Sequence, residues 1–304
     1  MKKLIPALAM LLVSAILLGT STYAWFSMNT TVQATNMQIK AVAEQGILIN
    51  EVATYNSTSW DDQATTTQTE GIPLRATSTA NTSNWFVAYS KVSGSAAPAT
   101  STANSANLTT AGYSALTFAA EPNTTAAVAG SNAQTDIYYV DTNGSNSYQP
   151  GEGYYVKYTY YIKSSSDAIT CALTAGAKNL NIVAPTVTGN TNSADLDQSL
   201  RVAVVVNNKA YIYAPLNGTA TAYYVGTAHT ETTPLTGNQA TSLTSIPATT
   251  ADGVAVSIYL YFEGEDPNCM TDNVTSTLDD LTVTVGFALV DNAAAATDNG
   301  VAIS

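Results

Sequence analysis

Beyond residue 24 the apolar positions fall in short runs that alternate with polar ones, the period-two pattern of strands with one buried face. Thr31–Ala41 alternates in this way, with one slip near Asn36 that predicts a bulge. Gly46–Ile49 and Trp85–Tyr89 read as short apolar strands. Ser90–Thr135 is rich in Ala, Ser, Thr, Asn and Gly and predicts loops, a weakly packed excursion or short edge strands. Asp136–Val140 and Tyr154–Lys163 read as a hairpin joined by Asp141-Thr142-Asn143-Gly144-Ser145. In its second strand Tyr154, Val156, Tyr158, Tyr160 and Ile162 share one face, expected to be core. Tyr155, Lys157, Thr159, Tyr161 and Lys163 share the other, expected to be a solvent face decorated with tyrosine. Leu200–Val206, Ala210–Ala214 and Tyr223–Val225 continue the pattern. Val254, Val256, Ile258, Leu260 and Phe262 make one inward face, and Leu281, Val283, Val285, Phe287 and Leu289 make another. Many strands with long connections predict an all-β fold, an antiparallel two-sheet sandwich of jelly-roll type with long loop insertions. No long helical periodicity, internal repeat or linker divides the chain after residue 24.

The first residues follow a different logic. Lys2 and Lys3 form a basic head, and Leu4–Leu18 is an apolar run interrupted by Pro6 and Ser14. Thr22-Tyr23-Ala24 then places small residues at the two positions that a signal peptidase inspects. A spanning helix wants about 20 apolar residues, so the run fits a cleaved signal helix better than an anchor. The expected layout is residues 1–24 as signal peptide, 25–43 as an N-terminal strand segment and 44–304 as the sandwich. Export to the extracellular space or cell surface follows. Thr22-Tyr23-Ala24-Trp25-Phe26-Ser27-Met28-Asn29, with the strand Ala34-Thr35-Asn36-Met37-Gln38-Ile39-Lys40-Ala41, resembles the TasA and camelysin family of secreted Gram-positive biofilm-matrix proteins. The resemblance covers roughly the first 45 residues. A weaker echo lies in Glu263-Gly264-Glu265-Asp266-Pro267-Asn268-Cys269.

Composition narrows the chemistry. Charged residues make up only 11% of the 304, and the net charge is −12, or −14 once Lys2 and Lys3 are removed. So acidic a surface repels nucleic acid and anionic membrane, which leaves the signal peptide as the one membrane-directed segment. Cys171 and Cys269 stand 98 residues apart. In an oxidising compartment they are able to close one disulfide, worth up to about 4–5 kcal/mol in the chain-entropy model, and two separate thiols are the alternative. Two acidic segments offer oxygen ligands to calcium. One comprises Asp141, Asn143, Ser145 and Glu152; the other comprises Glu263, Glu265 and Asp266. The first fails the EF-hand template, because its Gly falls at the fourth place and not the sixth, and both also read as polar turns. No other cofactor is expected. A single histidine, His229, sits in a loop-like context without a His-Glu-x-x-His or Gly-x-Ser-x-Gly motif. Some camelysin relatives are described as metallopeptidases, a label for which this chain lacks ligands, so no enzyme is expected.

Ala294–Ser304 carries no apolar tail and no Leu-Pro-x-Thr-Gly motif, so the exported product is expected to diffuse, bind or assemble. The family resemblance implies assembly: fibre subunits whose N-terminal strand completes a neighbour's sheet, with further matrix or cell-surface components as other partners. Trp25, Phe26, Val32, Met37 and Ile39 would then fill the neighbour's pockets. The alternative is a monomeric surface-layer or adhesin-like module, for which Tyr155 and Tyr161 would offer stacking faces to sugars.

Overall fold

The computed structural model describes residues 32–34, 37–44, 46–67, 72–83, 85–88, 113–115, 119–123, 135–139, 153–189, 196–216, 222–223, 231–232, 234–263, 266, 269, 281–292 and 297–303. Among them are 22 strands, one 3-10 turn over Leu196–Ser199 and no α-helix. The first third contributes β1 (Val32–Ala34), β2 (Gln38–Ala43), β3 (Ile47–Asn50), β4 (Gln63–Thr67), β5 (Ile72–Leu74), β6 (Ser78–Thr79) and β7 (Trp85–Ala88). The middle contributes β8 (Tyr113–Ala115), β9 (Ala119–Asn123), β10 (Thr135–Tyr139), β11 (Gly153–Ser164), β12 (Ile169–Thr170) and β13 (Lys178–Thr188). Next come β14 (Leu200–Val206), β15 (Lys209–Tyr213), β16 (Ala222–Tyr223), β17 (Glu231–Thr232) and β18 (Gln239–Ala240). The chain ends with β19 (Ser245–Ile246), β20 (Val254–Phe262), β21 (Thr282–Asp291) and β22 (Val301–Ala302).

Two large sheets dominate. The ten-stranded one runs β1-β5-β11-β20-β14-β15-β22; β3 and β10 pair with the other edge of β11, and β9 lies beyond β10. The five-stranded one runs β18-β13-β21-β2-β4. Pairing is antiparallel in both, apart from β2 beside β21 and the single contact of β5 with β11. Their inner faces form one apolar cluster in which Val156, Tyr160 and Ile258 of the larger sheet join Ile39, Ile182 and Val285 of the smaller. Such alternation of buried apolar and outward positions, on two facing sheets, is the arrangement of a β-sandwich. The Tyr160 hydroxyl donates to Thr66 Oγ1 across the core at 2.8 Å, so this buried tyrosine is satisfied.

The β10–β11 hairpin forms with Ile137 opposite Val156, in the expected phase from Val156 onward. Its register shifts between Tyr138 and Tyr139, so Tyr154 leaves that core face and packs with Trp85, Tyr155 and Tyr261 in a second cluster. Two further expectations are corrected. Thr31–Ala41 is not one bulged strand: β1 pairs with β5 in the larger sheet, and β2 lies in the smaller. The slip near Asn36 falls between two strands that pair in different sheets. The tyrosine face of β11 is also closed to solvent at its two ends, where Tyr155 and Lys163 are 5% and 2% exposed, while Lys157, Thr159 and Tyr161 between them are half-buried. A small sheet, β6-β7-β8, lays Trp85 on Tyr155 with ring centroids 4.0 Å apart, and Tyr261 meets the same indole edge-on at 5.0 Å. At the other end the segment 51–60 covers Lys163. Its ammonium donates to the carbonyls of Tyr55 and Thr249 and lies 3.9 Å from the Trp60 ring centroid.

Several expectations fall on residues outside those described: the signal helix with Trp25 and Phe26, the loop residues Asp141, Asn143, Ser145 and Glu152, and Glu265 and His229.

Candidate assembly interface

The segment from Met37 to Ala43 lies between two other strands of its own chain. Met37, Ile39, Ala41 and Ala43 point into the core and are at most 5% exposed, while Gln38, Lys40 and Val42 between them are only half-buried. On one side β2 runs parallel to β21, with Gln38 beside Thr282 and Ala43 beside Phe287. On the other it runs antiparallel to β4, with Gln38 beside Thr67 and Val42 beside Gln63. Both ends are bonded as well: Gln38 N–H donates to the Leu281 carbonyl at 2.9 Å, and Glu44 N–H to the Phe287 carbonyl at 2.9 Å. Ala43 N–H also donates to the Asp62 carbonyl at 2.7 Å. A strand flanked in this way occupies a slot with two hydrogen-bonding walls and an apolar floor. Without β2, both walls would present unpaired backbone groups. Met37 and Ile39 therefore sit in the core of their own subunit. Val32 lies on β1, opposite Leu74.

In the second acidic segment the described carboxylates are Glu263 and Asp266, both buried. Asp266 forms an ion pair with Arg201 at 2.5 Å, and both side chains are fully buried. Arg201 also donates to the carbonyls of Gln198 and Leu200 at 3.2 Å. The guanidinium thus matches the charge of a carboxylate that is shut away from solvent. Backbone bonds fold this turn onto the core strands. Glu263 N–H donates to the Ser199 carbonyl, Asp266 N–H to Glu263 and Cys269 N–H to Asp266. The echo segment is thus an internal clasp. Arg201 escaped notice in the sequence, although an arginine inside an apolar strand run implies a buried anionic partner.

The cysteines do not pair. Cys171 and Cys269 are both buried free thiols. Their neighbours differ: Cys171 contacts the backbone of Ile169, Leu180 and Ile246, and Cys269 sits with Ser199, Glu263, Asp266 and Arg201. Burial pushes the Cys269 thiol up to about 12 and also raises that of Cys171, so neither is a ready nucleophile. Tyr155 is closed off beneath Trp85, which removes it as a platform for sugars.

No family model matches the chain, and no curated protein or solved structure does.

Proposed function

We propose that the protein is an exported structural subunit that polymerises head to tail, each copy inserting its β2 strand into a neighbour's slot between β21 and β4. The observation that carries this reading is the β2 slot itself. One N-terminal strand satisfies two walls and a floor, and only the three residues from Glu44 to Gly46 tie it to β3. Identical contacts are available from a second copy. Because donor and slot are different surfaces, each insertion leaves another slot and another strand free, so the contact need not close and a filament results when it does not. The resemblance of residues 22–29 and 34–41 to the TasA and camelysin family supports the same reading. On this proposal residues 1–24 direct export, and the role is architectural, not enzymatic. A jelly-roll path is supported by the way β13 and β14 are matched, across both sheets, by β21 and β20.

A second reading keeps each β2 at home and makes the protein a monomeric surface-layer or adhesin-like module. The burial of Met37 and Ile39 within their own chain favours it. One experiment separates the two. Purified residues 25–304 are followed by negative-stain electron microscopy, with and without excess synthetic peptide spanning residues 35–44. Filaments that shorten as peptide occupies the terminal slots are the expected result. Monomers that persist for days at high concentration, with or without peptide, would overturn the polymer reading.

A further inference from the structure

We infer that the turn between β2 and β3 is the switch that decides whether β2 closes on its own chain or enters a neighbour, and that Gly46 sets its balance. This rests on the strand-exchange reading above and adds its regulation. The chain leaves the smaller sheet after Ala43 and joins the larger sheet at Ile47, so Glu44 to Gly46 must turn it from one sheet to the other. The closed turn is well bonded. Ile47 N–H donates to the Glu44 carbonyl at 3.1 Å, and Ser165 N–H donates to the Gly46 carbonyl at 3.0 Å.

Gly46 adopts φ +91, a conformation that side-chain-bearing residues rarely take. A Cβ built at this position would meet nothing within 4 Å. Those two facts separate backbone preference from packing. A Cβ at position 46 would strain the closed turn through the backbone and not through a clash. In the exchanged form the same residues run from β3 of one copy towards the next copy's slot. The turn is no longer needed, and extended φ suits any residue, β-branched ones best. Short connections under strain favour exchange because exchange relieves them. Glycine therefore keeps the closed form free of strain, and single copies hold their own strand until they meet.

The test uses a cysteine pair on the outer face, Lys40→Cys with Thr284→Cys, since these residues are paired in the β2–β21 register and both half-buried. A closed strand gives an intramolecular disulfide on oxidation; an exchanged strand gives a covalent ladder on a non-reducing gel. Three chains carrying this pair are compared after incubation: the parent, Gly46→Val, and one with four Gly/Ser residues inserted after Gly46. A β-branched residue in the left-handed region is disfavoured enough to move the ladder-to-monomer ratio about tenfold towards ladder, equivalent to about 1.4 kcal/mol. The longer turn is expected to move it the other way. If all three chains give only the intramolecular bond, strand exchange itself fails. If all three give ladders in equal proportion, exchange stands and the role of Gly46 falls. Should circular dichroism show Gly46→Val unfolded, Gly46→Ala carries the same test, with a smaller shift in the same direction expected.

Discussion

Ile39 is the side chain whose truncation tests the slot most directly. It is fully buried on β2, paired with Val283 on β21 and with Thr66 on β4. Ile39→Ala removes three carbons, worth about 2.4 kcal/mol at about 0.8 per buried methylene, and the cavity brings the loss to roughly 2–5 kcal/mol. The expectation applies to dilute monomer, because the slot is filled from within the same chain. Urea unfolding followed by tryptophan fluorescence and far-ultraviolet circular dichroism measures it. With a slope of about 3 kcal/mol/M, the midpoint should fall by roughly 1 M with the slope unchanged. Lys40→Ala, on the outer face of the same strand, is the control and should stay within about 0.5 kcal/mol. A monomer midpoint that does not move for Ile39→Ala, while polymerisation is lost, would overturn this expectation. In that case β2 would belong only to a neighbour's sheet.

Asp266→Ala leaves the Arg201 guanidinium buried without its carboxylate and should cost about 3–5 kcal/mol, read as a fall in thermal midpoint. Arg201→Met with Asp266→Leu should recover most of that loss; a double variant as weak as the single one would argue against an isolated clasp. Alkaline pH should unfold the protein through Tyr158, Tyr160, Tyr211 and Tyr213, whose hydroxyls burial raises above their ordinary value. Because the folded state holds these protons more tightly than the unfolded state, the stabilisation is complete below about pH 10 and declines above it, by about 1.4 kcal/mol per fully buried group per pH unit. Absorbance at 295 nm and circular dichroism should therefore change together for these four; smooth ionisation near pH 10 with intact structure would contradict it. Finally, a thiol reagent should label neither Cys171 nor Cys269 in native protein and both in guanidinium. Native labelling, or a gel shift on reduction, would show that one thiol is open or that the two are bridged.

What was legible in the chain follows from the range of the interaction involved. Local alternation carried the core faces of β20, β21 and β11 from Val156 to Ile162, because one buried face fixes register at a period of two, and it failed for Tyr154, where the register shifts. It failed for Tyr155 and Lys163, where the apparent outer face is covered by Trp85 and by the segment around Trp60, both distant in sequence. The Arg201–Asp266 clasp spans 65 residues, and only the oddity of an arginine in an apolar run hinted at it. The slip near Asn36 was visible but local, so it suggested a bulge, whereas the partner that explains it, β21, lies at the far end of the chain. That misreading has a consequence for assembly. Only Thr35 to Met37 separate β1 in the larger sheet from β2 in the smaller, so the N-terminal segment ties the two sheets together. A copy that gives up β2 is expected to give up β1 with it, and the donated unit would complete both sheets of its neighbour. Pulling such a subunit from a filament would then require breaking the β1–β5 ladder as well as the slot, which makes the joint stronger than a single added strand.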